Sequence, residues 1–328
     1  MFFPSSNFPS AQNGTFNTRN EPEIDKNSKV MTEEKIGIFW FRLDLRLADN
    51  KALNDLIKKS DKIIPIYIFD EKSEVGEASK WWLNSSLESL NLSLVKKNSK
   101  LYCFKGDPGI IFKKLIKSYK IKYINWNRLY DKYSISRDSN LKKKFSEKNI
   151  IVQSYNGSLI NEPWTIKNKS GSFFKVFTPF WNNCLDKKYN IKLSTITKNI
   201  NTINITKIDN ISINDLKLTT KSNWTKILST HWNPGEKHAL ENFNNFKNNV
   251  IENYEFGRDR PDKNYTSKLS PHLHFGEISS ERIFIEINKI KVKNSNSKKK
   301  FLAEIGWREF AYNLLYNYPN IKTQPIQV

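Results

Sequence analysis

Near the end of the chain, inside "FLAEIGWREFAYNLL" (301–315), Glu304, Trp307, Arg308 and Ala311 recur at i, i+3, i+4 and i+7. On a helix they share one face, while Ile305, Tyr312 and Leu315 mark a second, apolar face. A Glu–Arg pair four residues apart is an ordinary surface ion pair worth about 0.3–0.5 kcal/mol. An indole beside it adds a flat stacking platform, and base–aromatic stacking contributes roughly 1–3 kcal/mol per base. A neighbouring carboxylate can accept a hydrogen bond from a base edge. The chemistry these types could do together is recognition of an unstacked base.

Upstream, "TSKLS" (266–270) gathers the hydroxyls of Thr266, Ser267 and Ser270 around Lys268. Hydroxyls, backbone amides and a cation suit a phosphate, and the same residues also suit a capped helix start. Arg258 and Arg260 lie in a polar loop, where either solvent or a DNA phosphate would satisfy them. His272 and His274 lack further ligands at metal spacing, so no metal is assigned. In "WFRLDLRLADNKAL" (40–53), Arg42, Asp44, Arg46 and Asp49 alternate with apolar residues directly after a strand-like run. Open α/β sheets bind ligands at that position, but a salt-bridged connection between strand and helix is the simpler reading. No GxGxxG, GxxxxGK[ST] or GxSxG motif occurs, which disfavours ordinary dinucleotide binding, P-loop chemistry and a nucleophile elbow. No acid–base dyad is visible, and no catalytic residue is assigned.

The elements that must position these residues fall into two kinds. "IGIFWF" (36–41), "KIIPIYIF" (62–69), "KLYCFKG" (100–106), "KYINWN" (122–127) and "IIVQSY" (150–155) are short apolar runs of the kind found in parallel sheets buried on both faces. Helical spacing separates them at 50–60, 79–97, 108–119 and 136–148, which predicts a doubly wound α/β domain. The aromatic stretch 162–187 is expected to pack on that domain. The polar tract 194–223 reads as a long connector, better placed at a domain boundary than inside a domain. From Trp232 onward no strand alternation appears, and helices are expected over 233–256, 270–290 and 298–317. The expected division is a disordered leader (1–34), an α/β domain (35–165), a connector (166–231) and a helical part (232–328).

The chain has 328 residues and a net charge of +21, from 54 Lys+Arg against 33 Asp+Glu. That balance suggests an anionic partner, most often nucleic acid, although a chain crowded with Lys, Asn and Ile carries such charge for compositional reasons as well. Aromatic residues make up 13%, which argues for a folded protein. No run of about 18 apolar residues predicts a membrane span, and the N-terminus lacks a signal-peptide core. Two cysteines, Cys103 and Cys184, define neither a disulfide framework nor a zinc site. A cytoplasmic monomer is expected.

The blocks "WFRLDLRLADNKAL", "FKVFTPFW" (174–181), "RDRPDKNYTSKLSPHLHFGEIS" (258–279) and "GWREFAYNLL" (306–315) each resemble blocks of the DNA photolyase/cryptochrome family. They occur in family order from about residue 36 to the end, and together look most like the bacterial cyclobutane pyrimidine dimer photolyases. The resemblance implies an N-terminal α/β domain that holds an antenna chromophore in some members, and an all-helical domain that binds FAD. By motif match it places Tyr254, Thr266, Ser267, Lys268, Leu269, Ser270 and Phe301 against FAD. It places Arg258 on the DNA backbone, and Glu304, Trp307 and Arg308 on the DNA or its extruded lesion. Lys268 stands where the family usually has Arg, and Phe301 where it often has Trp. The implied activity is that of a deoxyribodipyrimidine photo-lyase, a carbon–carbon lyase that splits pyrimidine dimers by light-driven electron transfer from reduced FAD. A cryptochrome-type photoreceptor and a non-enzymatic DNA-binding remnant are the alternatives. Folate-site residues are not matched around 125–138, so neither a folate nor a deazaflavin antenna is assigned. Family members continue past this point, so the resemblance implies an incomplete FAD domain with weak or absent flavin retention.

Overall fold

The computed structural model describes residues 33–73, 75–196, 199–219, 222–321 and 323–326. The expected leader lies, but for residues 33 and 34, outside them. The five apolar runs become β1 (Ile36–Phe41), β2 (Lys62–Phe69), β3 (Tyr102–Lys105), β4 (Ile121–Asn127) and β5 (Ile151–Tyr155). They form one parallel sheet in the order β3-β2-β1-β4-β5. Strand order reverses between β1 and β4, which opens a crevice at their carboxyl ends.

Alternate residues of each strand feed two cores. On one face Phe39, Phe41, Leu53, Leu56, Leu83, Leu87 and Leu90 pack together. They belong to β1 and to the helices α1 (Lys51–Lys59) and α2 (Glu77–Val95). On the other, Ile38, Trp40, Phe112, Leu115, Leu141 and Phe145 join β1 to α3 (Pro108–Ser118) and α4 (Lys132–Ser146). Side-chain oxygens of Asn50, Asp107 and Asp131 accept the first orphan amides of α1, α3 and α4, so polar residues between the runs start the helices.

The second half is helical: α5 (Phe177–Leu185), α6 (Asn223–His231), α7 (Glu236–Asn245), α8 (Tyr254–Gly257), α9 (Ser270–His274), α10 (Ser280–Lys289) and α11 (Ser295–Asn317). Two expectations change here. The aromatic stretch 162–187 does not pack mainly on the sheet, because Phe180, Trp181 and Cys184 of α5 join the core of α7, α10 and α11. The run 233–256 is not one helix. After α7 it passes through a π turn (Phe246–Val250) and a 3-10 turn (Ile251–Asn253) before α8. Among its described residues the polar tract 194–223 holds a 3-10 turn (Asn214–Leu216) and the first residue of α6 and is otherwise irregular, yet its sparse apolar residues are used. Ile200, Leu216 and Leu218 are buried in the first core and Ile205 in the other, and Thr202 and Ile211 bridge to β2 and β3.

Residues 34–328 form one compact unit, and buried polar side chains bolt its halves together. Arg46, fully buried, donates to the carbonyls of Gly276 (2.8 Å) and Gly157 (2.7 Å). Arg282 of α10 pairs with Asp49 (2.6 Å), and Glu236 accepts the amides of Leu47 (2.9 Å) and Ala48 (2.8 Å). Glu277 is wholly buried and accepts from Trp82 Nε1 (3.1 Å), the Gly235 amide (2.7 Å), Ser86 Oγ and His272 Nδ1. Gly276 makes the approach possible. Its φ is +67°, and a Cβ there would lie 2.2 Å from the Leu43 carbonyl oxygen. The charged motif after β1 is therefore chiefly structural, with a reach well beyond strand and helix.

Candidate functional site

The 23-residue helix α11 starts on Asn294, whose side chain accepts the amides of Asn296 and Ser297. Phe301, Leu302, Ile305 and Phe310 turn into the core of the helical half. That fixes the opposite side outward, where Glu304 is half-buried, Trp307 is 48% exposed and Ala311 is exposed. Arg258, just past α8, forms an ion pair with Glu304, and that bond raises the guanidinium pKa above its usual value. The Trp307 indole lies flat on Phe177, with ring centroids 3.7 Å apart and planes 9° from parallel. The expected quartet is thus split. Arg308 folds back against the seam, donating to the carbonyls of Ser158 (2.8 Å) and Leu273 (3.4 Å), and does not join Glu304 and Trp307. Next to it, Glu309 is buried and accepts the amides of Ile160 and Asn161, both at 2.9 Å.

The residues matched to a flavin site fall into two groups. Tyr254 and Phe301 are buried and meet edge to face at 5.3 Å, and both touch Phe246 of the π turn, at 5.5 Å and 4.3 Å. Burial, and the nearby Glu304 carboxylate, push the Tyr254 phenol up to about 12. Thr266, Lys268 and Ser270 are exposed, and among the described residues their side chains make no hydrogen bond or ion pair. Ser267 Oγ is 3.4 Å from the Leu269 amide, and Leu269 itself is buried. Lys268 has φ +53°, a left-handed turn that only a few per cent of non-glycine residues adopt. Phe177 lies in the family-like block 174–181, which gave it no role, and Phe246 was not singled out at all. Their signal is three-dimensional, a ring beneath Trp307 and a ring beside Phe301.

A second site lies at the sheet's switch point, a crevice of about 610 Å³ lined by Trp40, Arg42, Tyr67, Asp70, Tyr133, Arg137 and His274 among others. Ligand cavities span about 300–1,000 Å³. Arg42 pairs with Asp138 at 2.6 Å, and Arg137 reaches Asp138 at 3.0 Å and Asp70 at 3.3 Å. Both guanidinium carbons sit 4.8 Å from the Trp40 ring centroid. Burial and a 2.6 Å hydrogen bond to Asp70 push the Tyr133 phenol up to about 12. Arg42 Nε and Trp40 Nε1 are buried and have no hydrogen-bond partner among the described residues. Of the charged motif after β1, only Arg42 faces this crevice.

Residues 37–198 match the family model described as DNA photolyase. A deoxyribodipyrimidine photo-lyase of Agrobacterium fabrum is 36% identical over 286 residues, which are 87% of this chain and 60% of that one. Cryptochrome-2 of Arabidopsis thaliana is 33% identical over 309 residues, 88% of this chain and 50% of its own. The crystal structure of a class III photolyase from Agrobacterium tumefaciens superposes with a TM-score of 0.85 at 34% identity, covering 91% of this chain and 62% of that one. The chain spans 50–60% of the length of these two curated relatives. Among the described residues no helix is long and apolar enough to cross a membrane.

Proposed function

Given that this chain belongs to the DNA photolyase and cryptochrome family, we propose that it supplies the α/β domain and the lesion-facing part of a deoxyribodipyrimidine photo-lyase, acting on cyclobutane pyrimidine dimers in DNA. The observation that carries this reading is Trp307, a half-exposed indole backed by a second ring and flanked by the Glu304–Arg258 ion pair. A base taken out of the stack needs an aromatic face and a hydrogen-bond partner for its edge. The free face of Trp307 supplies the first. Glu304 supplies the second, with Arg258 orienting its carboxylate. When Arg258 swings to a DNA phosphate, Glu304 becomes free to accept from the base.

The residues present fit the flavin that family membership implies. Unpaired hydroxyls at Thr266 and Ser270 and the ammonium of Lys268 would hold its phosphates, with Ser267 and Leu269 shaping the loop. Tyr254 and Phe301 would line its ring side. When bound, the flavin supplies the light-driven electron donation. This chain's own residues bind and orient, and no protein acid or base is required of them. The crevice lined by Trp40, Arg42, Tyr133 and Arg137 suits a conjugated antenna chromophore. The protein purified with such a chromophore should show its absorbance, and Arg137→Glu should lose it. Equal absorbance in the two proteins would remove that assignment.

The function is tested by equilibrium binding to duplex DNA with and without one thymine dimer. Dimer-containing DNA should bind more tightly, and Trp307→Ala should weaken that complex about 5- to 150-fold, the loss of one stacked base, while leaving undamaged DNA unaffected. Equal affinity for both duplexes would favour a cryptochrome-type role, the reading that the Arabidopsis relative supports.

A further inference from the structure

We infer that Phe177 is a positioning residue for Trp307, holding the indole as a one-sided, preset platform for the extruded base. The inference rests on the proposed base-stacking role of Trp307. At 3.7 Å between centroids and 9° between planes, Phe177 stacks on one face of the indole. Phe310 abuts both rings at their edges, with centroids 5.9 Å from Trp307 and 6.0 Å from Phe177. A base can therefore stack only on the far face.

What holds Phe177 there is α5, anchored from beneath. Trp181, one turn on and only 7% exposed, lies 12° from parallel to Phe177 at 6.5 Å. Its indole packs against the backbone of α11 at Gly306, where a Cβ would come within 2.6 Å of the ring. Gly306 directly precedes Trp307. The close approach at Gly306 seats α5 on α11, and the same docking delivers Phe177 to the back of the neighbouring indole. An exposed Trp side chain free to rotate would lose that freedom on binding a base. Here the fold fixes it beforehand, so less of the stacking energy is spent on ordering.

Three full-length variants test this by binding to dimer-containing and undamaged duplexes, with quenching of Trp fluorescence by the dimer as a second readout. Phe177→Leu keeps an apolar group but removes the flat backing. It should weaken dimer binding about two- to tenfold, the worth of an aromatic pair, leave undamaged DNA unaffected, and reduce the quenching. Phe177→Tyr keeps the ring and should restore both. Phe177→Met covers the case in which the leucine variant fails to fold, and should behave as Phe177→Leu does. If Phe177→Leu or Phe177→Met keeps the full preference for the dimer while Trp307→Ala loses it, the positioning role is wrong and the base-stacking role stands. A loss shared equally between the two duplexes overturns it as well, since that is what a purely structural defect produces. If Trp307→Ala itself changes nothing, the underlying base-stacking role fails.

Discussion

Glu309 and Arg308 share the helix with Trp307 but serve the seam. Burial pushes the Glu309 carboxyl up to about 7 from 4.5, with Arg308 and two backbone amides pulling the other way. The native state therefore keeps this proton where the unfolded chain has released it. The penalty is absent below about pH 4.5 and grows as pH rises through 7, to a loss on the order of 3 kcal/mol. Urea unfolding at pH 5 and pH 8 should show the loss in the natural protein, and Glu309→Gln should remove most of the difference. An unchanged pH dependence in that variant would mean the carboxyl titrates normally. At this scale the sequence was half legible. Spacing put Glu304 and Trp307 on one open face, as found. It also placed Arg308 there, because a helical wheel shows which residues are neighbours and not which backbone carbonyls lie within reach of a long side chain. Phe177 left no trace in spacing at all, since 130 positions separate it from the ring it backs.

Among the elements, the strands were the most legible part. Runs such as Ile36–Phe41 are apolar on both faces because both faces are covered, whereas a strand open to water on one side would alternate with polar residues. Elements whose partner lay elsewhere were harder. Residues 162–187 are aromatic enough to be buried, but composition does not name the surface they bury against. The break of 233–256 into α, π and 3-10 segments brings Tyr254 and Phe246 onto Phe301, and no glycine or proline between Glu236 and Phe256 announces the change. Between elements, the seam depends on single polar atoms. Glu277 ties α2, the start of α7 and α9 through four donors. Glu277→Ala would strand those donors in a buried site, and should cost about 3–5 kcal/mol in chemical denaturation. Lys268→Ala, at an exposed and unpaired side chain, should stay within about 0.5 kcal/mol of the natural protein. Similar values for the two would show that the seam does not rest on Glu277.

For the whole molecule, the proposed function assigns the charge of +21 and the exposed indole of the helical half to the same ligand, DNA. On that reading the basic residues would bring DNA in without regard to sequence, an attraction that weakens with salt. A lesion would then be selected, on the same reading, by the cost of extruding it, which is lowest where pairing is already damaged, and by the face that Trp307 offers it. Composition only suggests the first part, while the placing of Trp307 on Phe177 required the fold. The sheet, the seam and α5 together hold one indole open on one side. The most direct test is to place a fluorescent adenine analogue, quenched by stacking, opposite a thymine dimer in duplex DNA. Extrusion of the dimer leaves the analogue unstacked. The natural protein should raise its fluorescence at saturating concentration, and Trp307→Ala should not. A rise of equal size in both proteins, or none in either, would contradict the account.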